Sequence, residues 1–210
     1  PSLSFEVIVV DNASKENPAD LLNQAFPQVI LIHAPANNGF GAANNLAMPM
    51  AKGKYLFFLN PDAFLLSDAA HFFVQKMNDP AYRNMAFCTG ELLNEQMQPN
   101  HCFGNFPSIL GAISACGLKI FYPNYYRKHL SLGVANYDQS PKKVDYVSGA
   151  AFMVRAELVN LYGGFDPAFF FVFRRNRMGV SLAATRLLFH DFSSSKNHSY
   201  RGRFYRSWYQ

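Results

Sequence analysis

Tyr55-Leu56-Phe57-Phe58-Leu59-Asn60-Pro61-Asp62 is an apolar, strand-like run that delivers one carboxylate to its C-terminal end, directly behind a proline. Ligands of open α/β sheets sit outside the carboxyl ends of the strands, so the run aims Asp62 at a site. A lone Asp after a strand also suits a plain strand-end turn. Two further strand ends tip the balance. Val7-Ile8-Val9-Val10 ends in Asp11-Asn12-Ala13-Ser14, and Val29-Ile30-Leu31-Ile32 leads into Asn37-Asn38-Gly39-Phe40-Gly41-Ala42-Ala43-Asn44-Asn45. Three successive strands thus end in small, polar or acidic residues. The spacing leaves room for one helix between each pair, as parallel pairing requires, and predicts an α/β fold.

The intervening segments carry helix signals. Asn17-Pro18 sets a capping side chain before a proline at the first helical position, predicting a helix to about Phe26. Gly39 to Met50 reads as a second helix, ended by Gly53. Its Gly-x-Gly opening is not a dinucleotide fingerprint, which wants a Gly or Ala where Asn44 stands. The small residues still let backbone come close to a ligand. Ser67-Asp68 caps a third helix to about Asn78, with Phe72, Phe73 and Met77 as its buried stripe. Ala86 to Leu93 reads as one strand.

Further on, Phe106-Pro107 to Phe121-Tyr122-Pro123 reads as an apolar helix followed by the basic cluster Arg127-Lys128-His129. It has two readings: a helix packed on the sheet, or an amphipathic interfacial element touching a membrane. Val144 to Val154 contains Val147-Ser148-Gly149-Ala150-Ala151, small residues where a ligand could approach backbone. Gly163-Gly164-Phe165-Asp166 closes a helix; Asp166 serves as well for capping the next turn as for a ligand contact. His33, His71, His101 and His129 are scattered, form no metal set and receive no role.

The 210 residues suit one α/β domain, and at 50% apolar the chain is outside the disordered class. No stretch approaches the roughly 18 consecutive apolar residues of a spanning helix, and no signal-peptide pattern opens the sequence. Cys88, Cys102 and Cys116 have neither zinc spacing nor an even count, so they are expected to be buried or idle thiols in a reducing cytosol. The net charge of +5 is unevenly placed. Residues 174–210 hold eight Lys or Arg against one Asp, while residues 1–173 hold eleven against thirteen Asp or Glu. A basic tail ordinarily suggests nucleic acid or an anionic surface.

VIVVDNAS, NNGFGAANN, YLFFLNPDA, VDYVSGAAFMVRAEL and GGFDPAFF, in that order, resemble the inverting GT-A glycosyltransferases of family 2. The nearest resemblance is to the bacterial rhamnosyltransferase-like branch that builds surface polysaccharide, and it covers Phe5 to Phe173. It implies a GT-A fold, a Rossmann-like, mostly parallel sheet with flanking helices. It also implies transfer of a sugar from a dTDP- or UDP-linked donor to a glycan or lipid-linked acceptor, in the cytoplasm or against the inner face of the cell membrane.

By that resemblance Asp62 would bind a Mg²⁺ or Mn²⁺ ion bridging the donor diphosphate, with Asn60 near the ribose. Asp11, with Asn12, would contact base or ribose. The stretch from Asn38 and Gly39 to Asn45 would line the nucleotide pocket, with Gly149 and Asp166 on the acceptor side. One carboxylate can seat such an ion, since Mg²⁺ and Mn²⁺ are held largely by phosphates and waters. The resemblance makes the strand at Val7–Val10 the family's second, so the fold is expected to be incomplete at its N-terminus.

The resemblance breaks after Phe173. The family continues with acids, one of them the general base that takes the acceptor hydroxyl proton; this chain has Arg174-Arg175-Asn176-Arg177. Arg175 occupies the base position, and a guanidinium cannot accept a proton. Read in a frame shifted by one nucleotide, permissible codons restore F-E-E-T-E-W, with Trp forced by Met178-Gly179. The expected organisation is therefore a partial glycosyltransferase domain over residues 1–173, incomplete at both ends, and an out-of-frame basic tail over residues 174–210. On this reading the tail's charge says nothing about partners, no nucleic acid is expected, and the chain is an inactive copy. Two other classes stay open: a non-catalytic nucleotide-sugar-binding module, and a basic nucleic-acid-binding protein.

Overall fold

The computed structural model describes residues 3–100, 102–104, 117–121, 123–125, 144, 146–166 and 203–206. The chain divides into two compact units, Pro1–Leu56 with Val154–Thr185, and Phe57–Met153 with Arg186–Gln210.

In the first unit, β1 (Ile8–Asp11) and β2 (Ile30–His33) pair in parallel, with Ile8 opposite Ile30 and Asp11 opposite His33. The crossover between them holds α1 (Ala19–Ala25). Pro18 takes the N-cap position expected for Asn17, its carbonyl accepting the Leu22 N–H at 3.0 Å, while Asn17 Oδ1 accepts the Ala19 N–H at 2.9 Å from one residue further back. After β2 comes α2 (Gly39–Ala47), which tightens into a 3₁₀ turn at Met48–Met50. Buried Gly39, Gly41 and Ala43 form its inward stripe. The unit also contains α4 (Ala156–Tyr162), stopped by Gly163 at φ +85°, where a side chain would be strained.

The second unit holds most of the deeply buried residues. Helix α3 (Ala69–Asn78) is capped by Asp68, whose Oδ1 accepts the His71 N–H at 3.2 Å. Its buried face is Ala69, Phe73 and Met77, at i, i+4 and i+8. Phe72 is only half-buried, beneath the Lys76 ammonium at 5.7 Å, which corrects the expected stripe. Phe73 and Met77 are within 2% of complete burial, each stabilising by about 1.5–3 kcal/mol.

β3 (Tyr55–Leu59) has β10 (Ala151–Arg155) as its neighbour, and β10 in turn pairs with β5 (Phe87–Cys88). Ala156 N–H donates to Lys54 O at 3.1 Å and Asn60 N–H to Ala150 O at 2.8 Å, so β3 and β10 run antiparallel. Phe58 and Phe152 stack across this pair at 4.8 Å. The sequence run at Tyr55 is thus a strand, but its hydrogen-bonded partner is antiparallel. The strand expected over Ala86–Leu93 is two, β5 and β6 (Glu91–Leu93). Between them the Thr89 hydroxyl donates to Ala151 O at 2.6 Å, and the chain leaves one sheet for another.

That second sheet has the order β4-β11-β6-β7, with β4 at Ala63–Leu65, β7 at Pro99–Asn100 and β11 at Arg203–Arg206. β11 pairs antiparallel to β4 and parallel to β6, so part of the tail is an inserted strand. A short antiparallel pair joins β8 (Phe103–Gly104) to β9 (Tyr146–Val147). Cys88 and Cys102 are buried free thiols, as expected; Cys116 lies outside the described residues. Of the apolar segment from Phe106 to Pro123, the described Leu118–Phe121 is a 3₁₀ turn; Arg127, Lys128 and His129 also lie outside. No helix among the described residues is long and apolar enough to cross a membrane.

Candidate functional site

In-register parallel pairing brings Asp11 and His33 to the same C-terminal edge of β1 and β2. His33 Nδ1 stands 3.1 Å from Asp11 Oδ2; an ionised carboxylate only accepts, so the ring donates there. Asp11 Oδ1 accepts the Ser14 N–H at 3.0 Å. The Asp11 side chain is 8% exposed and that of His33 50%. The Ser14 hydroxyl and N–H hold the Asp11 carboxyl below its ordinary value, with smaller help from His33 and against a smaller effect of burial. The turn between Asp11 and Ser14 sets Ala13 at φ +59°, costing about 1–2 kcal/mol for a residue with a Cβ.

The two strand-end loops are laced together beyond this pair. Asn12 Nδ2 donates to Asn37 Oδ1 at 2.8 Å, and Asn38 N–H donates to Asn12 Oδ1 at 3.4 Å. Asn37 Oδ1 also takes the Gly39 N–H at 3.1 Å, closing the entry to α2, where Gly39 sits at φ +85°. Asp11, Asn12, Asn38 and Gly39 therefore form one cluster at the head of the first unit.

Asn45 does not join that cluster. Six residues on from Gly39, α2 carries it about 9 Å along the helix axis. Its Nδ2 donates to Phe165 O at 2.6 Å and its Oδ1 accepts the Phe165 N–H at 2.8 Å. Phe165 also meets Phe40 edge-to-face at 5.6 Å and lies over Gly41, where a Cβ would approach its own Cβ to 2.9 Å. The sequence suggests a ligand-lining Asn45; the structure gives its amide the task of fixing the turn that carries half-buried Asp166.

In the second unit, antiparallel pairing sets the turn after β3 beside the turn before β10. Asn60 N–H bonds Ala150 O, Asn60 O accepts the Ala63 N–H at 3.1 Å, and Pro61-Asp62 make the bend. Opposite, Ser148 Oγ accepts the Ala150 N–H at 3.3 Å and Ser148 N–H donates to Cys102 O at 2.8 Å, leaving half-buried Gly149 between them. The turn that holds Asn60 and Asp62 thus lies beside the turn that holds Gly149. Asn60 Oδ1 and Asp62 Oδ1 are both buried, and no donor meets Asn60 Oδ1 among the described residues. A buried acceptor left so costs about 1–3 kcal/mol. Buried amide and carboxylate oxygens of this kind fit a hard cation or a ligand hydroxyl. No group of three His, Cys, Asp or Glu among the described residues could hold a metal alone. The donor set therefore suits an ion seated mainly by a substrate's oxygens.

His33 is the residue sequence reasoning missed, and its signal was available. Val7–Val10 and Val29–Ile32, aligned as parallel partners, are completed by Asp11 and His33. Arg175 lies outside the described residues.

The family model described as "Glycosyl transferase family 2" matches residues 1–161. A poly(ribitol-phosphate) beta-glucosyltransferase of Bacillus spizizenii is 36% identical over 73 residues, covering 33% of this chain and 12% of that protein. An uncharacterized glycosyltransferase of Haemophilus influenzae is 29% identical over 92 residues, covering 40% of this chain and 37% of its own length. Among solved structures, GalNAc-T7 with UDP, GalNAc and Mn²⁺ superposes with a TM-score of 0.60 at 12% identity, over 97% of this chain and 38% of that one. The mannosyltransferase PcManGT of Pyrobaculum calidifontis, in complex with GDP-Man and Mn²⁺, gives 0.56 at 16% identity, over 92% and 49%. Residues 1–349 of TarS of S. aureus give 0.52 at 14% identity, over 97% and 51%. These likenesses establish the fold as that of the glycosyltransferases, and the chain spans at most about half of each of these proteins.

Proposed function

Because the chain belongs to glycosyl transferase family 2, we propose that it derives from an inverting transferase that takes a sugar from a nucleoside diphosphate. In this reading the acceptor is a glycan or a lipid-linked precursor of surface polysaccharide. The observation that carries the reading is the Asn60-Pro61-Asp62 turn at the end of β3, with its two buried side-chain oxygens. Asp62 would hold Mg²⁺ or Mn²⁺ together with the donor's phosphate oxygens, Asn60 facing the ribose. Such an ion supplies neutralisation of the charge that collects on the leaving diphosphate. Asp11 accepts from base or ribose, Asn12, Asn38 and Gly39 shape the surrounding loop, and Gly149 and Asp166 lie toward the acceptor.

The order and content of the sequence motifs support a rhamnosyltransferase-like donor preference, with a dTDP- or UDP-linked sugar. The Bacillus spizizenii relative, by its name a poly(ribitol-phosphate) glucosyltransferase, supports a cell-surface polymer as the acceptor class. A contact with the membrane face accompanies a lipid-linked acceptor. Transfer also requires a base for the acceptor proton, a contribution of about 10²–10⁴-fold. With Arg175 at that position this chain binds donor without transferring it, and residues 174–210 are out-of-frame text.

Calorimetric titration of the full chain with UDP and dTDP in Mn²⁺ tests the reading, alongside a transfer assay. Mn²⁺-dependent binding of one of them without turnover is expected. Failure to bind either removes the donor reading. Turnover at an ordinary rate removes the inactive-copy reading and leaves the family assignment intact.

A further inference from the structure

We infer that His33 is a positioning residue for nucleoside recognition, holding the Asp11 carboxylate in the orientation in which it accepts from the donor's nucleoside. The inference rests on the donor reading above and adds to it a residue outside the sequence motifs.

Four observations carry it. His33 ends β2 in register with Asp11, so the contact is built into the strand pairing and does not depend on a loop. Its Nδ1 lies 3.1 Å from Asp11 Oδ2, while Asp11 Oδ1 is held by Ser14; with both oxygens anchored, the carboxylate has one side-chain orientation. The imidazole makes no other hydrogen bond among the described residues and is half-exposed, so its polar contact is spent on Asp11 alone. Finally, the loops flanking the pair are tied to each other through Asn12, Asn37 and Asn38, which fixes the frame in which the pair sits.

With His33 half-exposed, the pair matters little to folding, since a cross-strand pair contributes only about 0.2–1 kcal/mol. Its effect on recognition is larger. An accepting carboxylate free to rotate spends part of its binding energy on being ordered, whereas one already anchored does not. The hydrogen bond is charge-assisted, the stronger class. An Asn at 33 can present its Nδ2 where His33 presents Nδ1, so the donor is separable from the ring.

The test is calorimetry on the full chain with UDP and dTDP in Mn²⁺, and with Mn²⁺–pyrophosphate, which lacks a nucleoside. His33→Ala should weaken the nucleotide by about tenfold. His33→Asn should stay within about threefold of the parent, and both variants should bind pyrophosphate as the parent does. On an Asp11→Asn background, His33→Ala should add no further loss. Unchanged nucleotide affinity in His33→Ala overturns the inference. So does an Asn variant as weak as the Ala variant, an equal loss for pyrophosphate, or an undiminished loss without the Asp11 carboxylate. If the parent chain binds neither nucleotide, the donor reading itself falls, an outcome distinct from all of these.

Discussion

Asn45 grips Phe165 by both ends of its amide, donating to the carbonyl at 2.6 Å and accepting from the N–H at 2.8 Å across 120 residues of sequence. Gly164 sits directly beneath, and a Cβ there would overlap Asn45 Oδ1 and come within 2.9 Å of Met48 Sδ. The lock needs an amide at 45 and no side chain at 164. Asn45→Ala leaves the Phe165 N–H and C=O without these partners, so a loss of about 1–3 kcal/mol is expected in urea denaturation. Asn45→Asp keeps the acceptor but turns an oxygen toward the carbonyl, and should lose as much. Gly164→Ala should cost about 1–3 kcal/mol by overpacking. A Gly164→Ala chain as stable as the parent would show that the turn is loosely held.

Acid should loosen the first unit through Asp11. Its carboxyl is held below the ordinary 3.8, chiefly by Ser14 and then by His33. For a carboxylate whose folded value is depressed, the stabilising contribution is complete above the unfolded value. It drains away as pH falls below 3.8 toward the folded value. Denaturation midpoints taken at pH 6 and at steps below pH 4 should therefore fall less steeply in Asp11→Asn than in the parent. Parallel curves would mean that Asp11 titrates alike in the folded and unfolded chains.

The proposed cation role of Asp62 can be told apart from the acceptor-side role of Asp166. Asp62 carries a buried oxygen on the same turn as Asn60, whereas Asp166 lies on the turn held by Asn45. Asp62→Ala should abolish Mn²⁺-dependent binding of UDP or dTDP, and Asp166→Ala should leave it within about threefold. Asn60→Ala should weaken it to an intermediate degree. Equal losses from Asp62→Ala and Asp166→Ala would place the cation elsewhere.

What could be read from the sequence was local. Asn17, Asp68 and Gly163 mark helix ends because a cap is decided within three or four residues. The polar ends of β1 and β3 follow from their apolar runs. The pairing partner of β3 did not, because a strand's own side chains do not say which strand lies beside it; Ala150 and Ala156 supply that answer from far along the chain. Nor did the split of Ala86–Leu93, which turns on the Thr89 hydroxyl reaching Ala151 O. In the site, residues contributed by a single loop were legible, while His33 and the Asn45 lock depend on register and on a contact 120 residues away.

The tail poses the sharpest conflict between sequence and fold. Out-of-frame text should hold no designed strand, yet Arg203–Arg206 lies hydrogen-bonded between β4 and β6. The two are compatible if main chain alone holds β11, because backbone N–H and C=O groups are the same in any sequence. Open edges on β4 and β6 offer such pairing to whatever extended segment arrives. This account predicts a specific pattern of substitutions. Replacing Phe204 and Tyr205 together with Val and Thr keeps every backbone group, and should leave the melting temperature nearly unchanged. Tyr205→Pro deletes one N–H from a strand paired on both sides, and should cost about 1–3 kcal/mol. If the Val-Thr exchange destabilises as much as the proline, the side chains at 204 and 205 are fitted to their neighbours. The tail would then have been shaped by folding, and the out-of-frame reading would have to be abandoned.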